Sequence, residues 1–366
     1  MFIYLDNSLL VSNDNSEALE IAKAVRNLVI ATSESKHILY GDMNIIAALR
    51  ERMRGDRDMY NVLNRIYQKY AQLACPQEIT YYIKVAKEDG GLEQDENGKA
   101  FAKVSYKKFT DSENAQACNL VSEDYNDCDF YRIVLEHYKK VNDCKISCRF
   151  NDCSGSGDRT ERNLKKCLYE RKQITLCIVD SDRKYRGQEI AEGSTCGKCA
   201  KIGRRIATYQ FLQLDVQEIE NLVPFNVINN LTWTAESKDN KDAFDNLRYK
   251  AQTEDVLPYF DIKGGLVKNE LFANDVKYRD YVKTCYYMNP QLAAHGDFET
   301  YVDGLPNDTV IYPHLRKGLL KNFLEYRKEH PLCDMDLLEY QLAAWNLIGQ
   351  LMLNMGCCRN SEAIVG

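Results

Sequence analysis

The 366-residue sequence predicts an α/β fold: a central parallel, Rossmann-like sheet flanked by helices, with an α/β N-terminal region and a mainly helical C-terminal region. Three observations carry that expectation. From about residue 117 to 225, apolar runs of strand length alternate with helical patterns, the order of a parallel sheet. The strands of this stretch run into acidic or glycine-containing turns. From about residue 312 onward the apolar residues recur instead at i, i+3 and i+4.

Residues 1–112 form the first region. Phe2–Asp6 reads as a strand, while Ala18–Leu28 and Tyr60–Tyr67 carry helical periodicity. Lys87–Lys99 is polar, holds three glycines and has no period, so it reads as an exposed loop or hairpin tip near a boundary.

Residues 113–228 are the informative region. Ala117–Ser122 is an apolar strand that enters the acidic turn Glu123-Asp124-Tyr125-Asn126-Asp127, followed by a helix through Phe130, Tyr131, Val134, Leu135 and Tyr138. Cys144–Phe150 reads as the next strand, Ser154-Gly155-Ser156-Gly157 as a tight turn and Thr160–Tyr169 as a helix. Ile174–Val179 is a third strand, ending in Asp180-Ser181-Asp182. Side chains at i and i+2 of a strand point the same way, so Asp180 and Asp182 place two carboxylates on one face. Such a pair suits a divalent cation, and Glu123 is the candidate third ligand. In a parallel sheet all three turns fall at the carboxyl edge, where open α/β sheets bind ligands.

These turns resemble the TOPRIM domain of topoisomerases, bacterial primases and the overcoming-lysogenization-defect (OLD-like) nucleases. The family pattern is Glu-Gly-x-x-Asp, a glycine-rich turn, then Asp-x-Asp. Here those places hold Glu123 to Asp127, Gly155-Ser156-Gly157 and Asp180-Ser181-Asp182, with Asp124 where the family usually has glycine. The resemblance covers roughly residues 115 to 225. The strand Tyr209–Leu214 and the segment Glu218-Ile219-Glu220-Asn221 look like the Glu-Ile-Glu-Asn signature of defence-associated TOPRIM nucleases, and Tyr259-Phe-Asp261-Ile-Lys263-Gly-Gly-Leu is similar to a further segment of that group.

The resemblance implies a Mg²⁺- or Mn²⁺-dependent endonuclease, the toxic effector of a bacterial anti-phage, abortive-infection system. Glu123, Asp180 and Asp182 would hold one ion, and Asp127 with Glu218 or Glu220 a second, all hard oxygen donors. Glu123 alternatively serves as general acid or base. Arg183, Lys184 and Lys263 are the candidate nucleic-acid contacts, offsetting phosphate charge. DNA, transfer RNA and other RNA all remain open as substrate, and a regulatory partner such as an ATPase is expected to restrain the activity. The alternatives are a catalytically silent TOPRIM module that binds nucleic acid or a partner, and a topoisomerase- or primase-like nucleotidyl transferase.

Composition narrows the class further. The net charge of −6 argues against a chain coated in basic patches, yet Arg and Lys crowd between Lys145 and Arg205, around the acidic turns. With no apolar run near the roughly 18 to 20 residues of a membrane helix and no signal-peptide pattern at Met1–Asp6, a cytoplasmic protein without membrane contact is expected. The 14 cysteines are then expected as thiols. Cys196 and Cys199, joined by Cys148 and Cys153, are the candidate structural Zn²⁺ ligands. No P-loop, dinucleotide fingerprint or Ser-His-Asp signature is present. Residues 229–366 contribute two strong helical patterns, Tyr312–Tyr326 and Asp336–Leu353. The second is apolar around much of its circumference, which suits a core helix or a homo-oligomer contact.

Overall fold

In the computed structural model the described residues are 1–70, 76–155, 159–250, 256–272, 275–331 and 334–359. The chain divides into two compact units. One comprises 1–178, 199–212 and 346–366, the other 179–198 and 213–345.

Among the described residues the first unit holds two larger sheets and one two-stranded pair. Its N-terminal sheet begins with β1 (Phe2–Leu5), followed by α1 (Asn15–Ser33), β2 (Ile38–Gly41), α2 (Met43–Arg52) and α3 (Arg57–Gln68). It is completed by β3 (Tyr81–Ala86), β4 (Leu92–Gln94) and β5 (Ala100–Ser105) in the order β2-β1-β3-β5-β4. The first four strands run parallel and β4 is antiparallel to β5, so residues 87–99 include a hairpin tip, as their composition predicts. The apolar face of α1 is formed by Ile21, Val25, Leu28 and Val29, at i, i+4, i+7 and i+8, and Asp14 caps its first turn by accepting from Glu17 N at 2.8 Å.

The second sheet is the one the strand–turn–helix alternation predicts. Along the chain it is built from β6 (Cys118–Ser122), α4 (Tyr125–Val141), β8 (Phe150–Ser154), α5 (Arg159–Lys165) and β9 (Thr175–Val179), while β7 (Ser147–Cys148), just before β8, lies outside this sheet. After α6 (Thr195–Ala200) comes β10 (Tyr209–Gln213). The order is β10-β9-β6-β8, all parallel. Every residue of β6 and β9 is buried, as befits central strands covered on both faces.

In this sheet one boundary differs from the sequence expectation, for a local reason. Residues 144–146 are not strand. Asp143 takes φ +46° and Cys144 N donates to Lys139 O at 2.8 Å, the left-handed closure that ends a helix, so Cys144 belongs to the exit from α4. The pairing strand is instead β8, in register Cys118↔Phe150 to Ser122↔Ser154. Of the expected glycine turn, Ser156 and Gly157 lie outside the described residues. Gly155 is described, and a Cβ there would stand 2.5 Å from Thr160 N, so only glycine lets the turn approach α5 this closely.

The second unit contains α7 (Phe225–Asn230), α8 (Ala235–Lys250), β11 (Leu266–Val267), α9 (Val276–Met288), α10 (Pro290–Ala293), α11 (Phe298–Asp303), β12 (Val310–Tyr312) and α12 (Leu319–Glu329). The helix expected from Tyr312 starts only at Leu319. Pro313 disfavours helical backbone at Tyr312, which instead pairs antiparallel with Leu266, and Gly318 at φ +71° marks the helix start. Phe225, Phe244, Phe260 and Tyr312 form a chain of ring contacts through the core of this unit. The last helix, α13 (Glu339–Gly356), leads to β13 (Cys357–Cys358), which pairs with β7 in the first unit. There Asn354 Oδ1 accepts from Thr80 N at 3.0 Å and the amino group of Met1 donates to Cys357 O. Among the described residues no helix is long and apolar enough to cross a membrane.

Candidate functional site

In the second unit, the segment after β9 folds into a loop zipped against residues 215–217. Asp182 N donates to Gln217 O at 3.0 Å and Ser181 Oγ to Val216 O at 2.6 Å. Asp182 adopts φ +56°, a left-handed backbone that aspartate tolerates better than most residues. Asp180 is partly buried, and the Asp182 surface is exposed. Even so, the surrounding protein raises the Asp182 pKa by desolvation, with the Lys263 charge opposing.

The Glu-Ile-Glu-Asn segment follows directly. Ile219–Leu222 is a single 3₁₀ turn whose apolar members are fully buried, which turns Glu218 and Glu220 to a common neighbour, Lys263. Lys263 Nζ lies 2.8 Å from Glu218 Oε2 and 3.1 Å from Glu220 Oε2. Both carboxylates are buried, with Glu218 at 8 % and Glu220 at 5 % exposure. Burial first, and then the Glu220 charge, push the Glu218 carboxyl up to about 7, against the pull of Lys263. Lys263 is itself held above the usual lysine range, because Glu220 and Glu218 outweigh its own desolvation. Glu218 Oε1 is buried and accepts no hydrogen bond.

Asn221 explains why the fourth residue of the segment is an amide. Its Oδ1 accepts from Glu218 N at 3.0 Å, and its Nδ2 donates to Leu257 O and Phe260 O, both at 2.9 Å. Asn221 O in turn accepts from Tyr340 Oη and Gln341 Nε2. One side chain thus fastens the Glu218–Glu220 turn to the turn that presents Lys263. That second turn is closed by Gly265 N donating to Asp261 O at 2.9 Å. Gly265 has φ +73°, and a Cβ on it would meet Tyr312 O at 2.4 Å, so glycine is required there.

The structure therefore brings Asp182, Glu218, Glu220 and Lys263 together, and adds Asp261, whose charge also acts on Glu218. Asp261 is the one member of this group without an expected role, and its spacing of two from Lys263 in a glycine turn is the sequence signal for it. Arg183 is tied to Asp215 at 3.1 Å and to Gln188 O at 2.9 Å. Lys184 pairs with Glu270 at 2.7 Å and lies 5.3 Å from the Tyr278 ring centre.

Glu123 and Asp127 belong to the first unit. Glu123 follows β6 directly and is partly buried. Asp124 caps α4 with φ −136° and ψ 161°, extended backbone open to any residue, so the turn does not need the glycine usual in the resembled family. Asp127 has a structural duty, since its Oδ2 accepts from Asp124 N at 2.8 Å to complete a capping box.

The cysteines expected to share a zinc ion have other neighbours. Cys153 Sγ lies 3.4 Å from Cys167 Sγ, and Cys199 is hydrogen-bonded by Cys177, which lowers its pKa. Cys148 sits in β7, where burial raises its pKa. Among the described residues, no group of three or more His, Cys, Asp or Glu side chains stands ready to hold a metal ion. In the second unit the Lys263 ammonium bridges Glu218 and Glu220. The donor chemistry nevertheless suits a hard divalent ion, because the set is all oxygen, carries more negative than positive charge and includes the unpartnered Glu218 Oε1.

Comparison with known proteins adds no relative: no family model, no curated protein and no solved structure matches the chain.

Proposed function

We propose that the chain is a Mg²⁺- or Mn²⁺-dependent nuclease of the TOPRIM type, acting as the toxic effector of an anti-phage system. The observation that carries the chemistry is the pair of buried carboxylates, Glu218 and Glu220, which share one lysine with Asp182 and Asp261 nearby. Two buried carboxylates beside one ammonium carry excess negative charge, which either a proton on Glu218 or a second cation relieves. The defence role rests on the resemblance of Glu218 to Asn221 and of the three turns.

Within the second unit Asp182, Glu218 and Glu220 would hold the ion. The resemblance further implicates Asp180, and it separately singles out Glu123 and Asp127 of the first unit. The chemistry such an ion supplies is activation of a water and stabilisation of charge on a phosphoryl oxygen. Lys263, moved off the carboxylates, is placed to offset phosphate charge, while Asn221 keeps the two turns in register. A cytoplasmic location and restraint by a partner such as an ATPase complete the reading.

One observation favours a second reading. Lys263 already bridges Glu218 and Glu220, so the cluster would also serve as a structural ion pair in a catalytically silent binding module. Supercoiled plasmid, single-stranded DNA and total transfer RNA, incubated with Mg²⁺, Mn²⁺ or EDTA, separate the two. The nuclease reading expects metal-dependent cleavage, weak in the isolated chain, that Glu220→Gln, Asp180→Ala and Glu123→Ala abolish. Cleavage that survives EDTA or all three substitutions contradicts it.

A further inference from the structure

Cys153 and Cys167 form a close thiol pair, with sulfur atoms 3.4 Å apart. Cys153 lies on the edge strand β8 and is partly exposed, whereas Cys167 is buried. Cys167 sits in the π-turn Lys166–Glu170, closed by Arg171 N donating to Lys166 O at 3.0 Å. Such wide turns inside helices recur at functional sites because they redirect a side chain. Here the turn aims Cys167 at β8 and sets the Lys166 and Arg171 charges beside Cys153.

The two thiols are not equivalent. The Cys167 hydrogen bond, aided by Arg171 and Lys166, pulls the Cys153 thiol down to about 7 against its own burial. Cys167 is pushed the other way and keeps its proton. The other described cysteines lack this combination. Cys148 is partly exposed but raised by burial, and Cys199 is lowered but fully buried.

We propose that Cys153 and Cys167 are an oxidisable pair, Cys153 reacting with a hydroperoxide and Cys167 closing the disulfide. The Cys153 thiolate attacks a peroxide oxygen, so that an S–O bond forms, the O–O bond breaks and the leaving hydroxide takes a proton from solvent. The Cys167 sulfur then attacks Cys153, forming the S–S bond and breaking S–O, and its proton leaves with the second hydroxide as water. Two thiols and one hydrogen peroxide thereby give one disulfide and two waters, the sulfurs losing the two electrons that the peroxide gains. The starting separation exceeds an S–S bond by about 1.4 Å, within reach of a χ1 adjustment at each residue. The bond would tie β8 to the π-turn that follows α5, across the turn at Gly155.

The test uses the full chain, reduced, desalted and treated with stoichiometric hydrogen peroxide, then mapped by non-reducing digestion and mass spectrometry. The expected product is the Cys153–Cys167 cross-linked peptide, absent from Cys153→Ser. In Cys167→Ser the expected product is a Cys153 sulfenic acid trapped by dimedone. Before oxidation, iodoacetamide at pH 7 should label Cys153 at least about tenfold faster than Cys148, since the thiolate is the reacting form. That comparison uses the unmodified protein and so decides even if a variant fails to fold. Labelling of Cys153 no faster than Cys148, a disulfide between other cysteines, or oxidation of Cys153 to sulfinic acid without a cross-link would each overturn the proposal.

Discussion

Replacing Lys263 with methionine keeps most of the side chain's length and removes the one ammonium that Glu218 and Glu220 share. Breaking a buried ion pair by removing one partner costs about 3 to 5 kcal/mol, because the remaining charge is left desolvated. The Lys263 side chain is 44 % exposed, so solvent screens part of that loss. The lower end, about 3 kcal/mol at pH 8, is the expected penalty. The pH dependence is the sharper part. Glu218, with its folded pKa raised to about 7, binds its proton more tightly in the folded state. Its protonation therefore favours folding at low pH, and that contribution is lost as pH rises from the ordinary glutamate range through about 7. At pH 5 Glu218 is already mostly neutral, and removing Lys263 should cost only about 1 kcal/mol. Trp233 and Trp345 are the only tryptophans and both lie in the second unit, so urea unfolding followed by tryptophan fluorescence reads the unit that holds the cluster. A Lys263→Met deficit of the same size at pH 5 and pH 8, or none at either, would refute the electrostatic account.

Further outcomes follow from the same geometry. Asn221→Ala leaves two buried carbonyls without their donor and should destabilise the second unit by about 2 to 4 kcal/mol in the same urea assay. Gly265→Ala combines a strained φ with a backbone clash and should cost at least about 2 kcal/mol, whereas Gly187→Ala, also at positive φ but with open space around it, should cost about 1. Asp124→Ala removes the α4 cap and should cost about 1 kcal/mol, while Asp124→Gly should cost only a few tenths, both read by thermal unfolding under circular dichroism. The purified chain should be inactive or weakly active on nucleic acid until a partner releases it; rapid constitutive cleavage at physiological Mg²⁺ would count against that restraint.

The strands that carry the acidic turns were legible because β6 and β9 are largely apolar and buried on both faces, and because Glu123 and Asp180 follow them without a gap. The pairing of Lys263 with the Glu218 segment was not legible. Forty-odd residues separate them, and the link is made by Asn221 reaching the carbonyls of Leu257 and Phe260, which no periodicity announces. Most of the N-terminal sheet is not legible either. Ile38–Gly41 is too short to stand out after a long helix, and Tyr81–Ala86 and Ala100–Ser105 carry lysines at partly exposed positions that interrupt their apolar runs. The left-handed Asp143 that ends α4 moved an expected strand toward β8, because a helix closure depends on one residue's backbone and not on its apolar neighbours.

We propose that Asp182, Glu218 and Glu220 accept a divalent cation in place of Lys263. The most direct test is calorimetric titration of the full chain with Mn²⁺ at pH 6 and pH 8, beside Glu220→Gln and the Lys263→Met variant. The account predicts binding that strengthens from pH 6 to pH 8 as Glu218 loses its proton, weakens at least tenfold in Glu220→Gln, and persists in Lys263→Met. Absence of Mn²⁺ binding, or binding that is independent of pH and untouched by Glu220→Gln, would contradict it and leave the cluster as a structural ion pair.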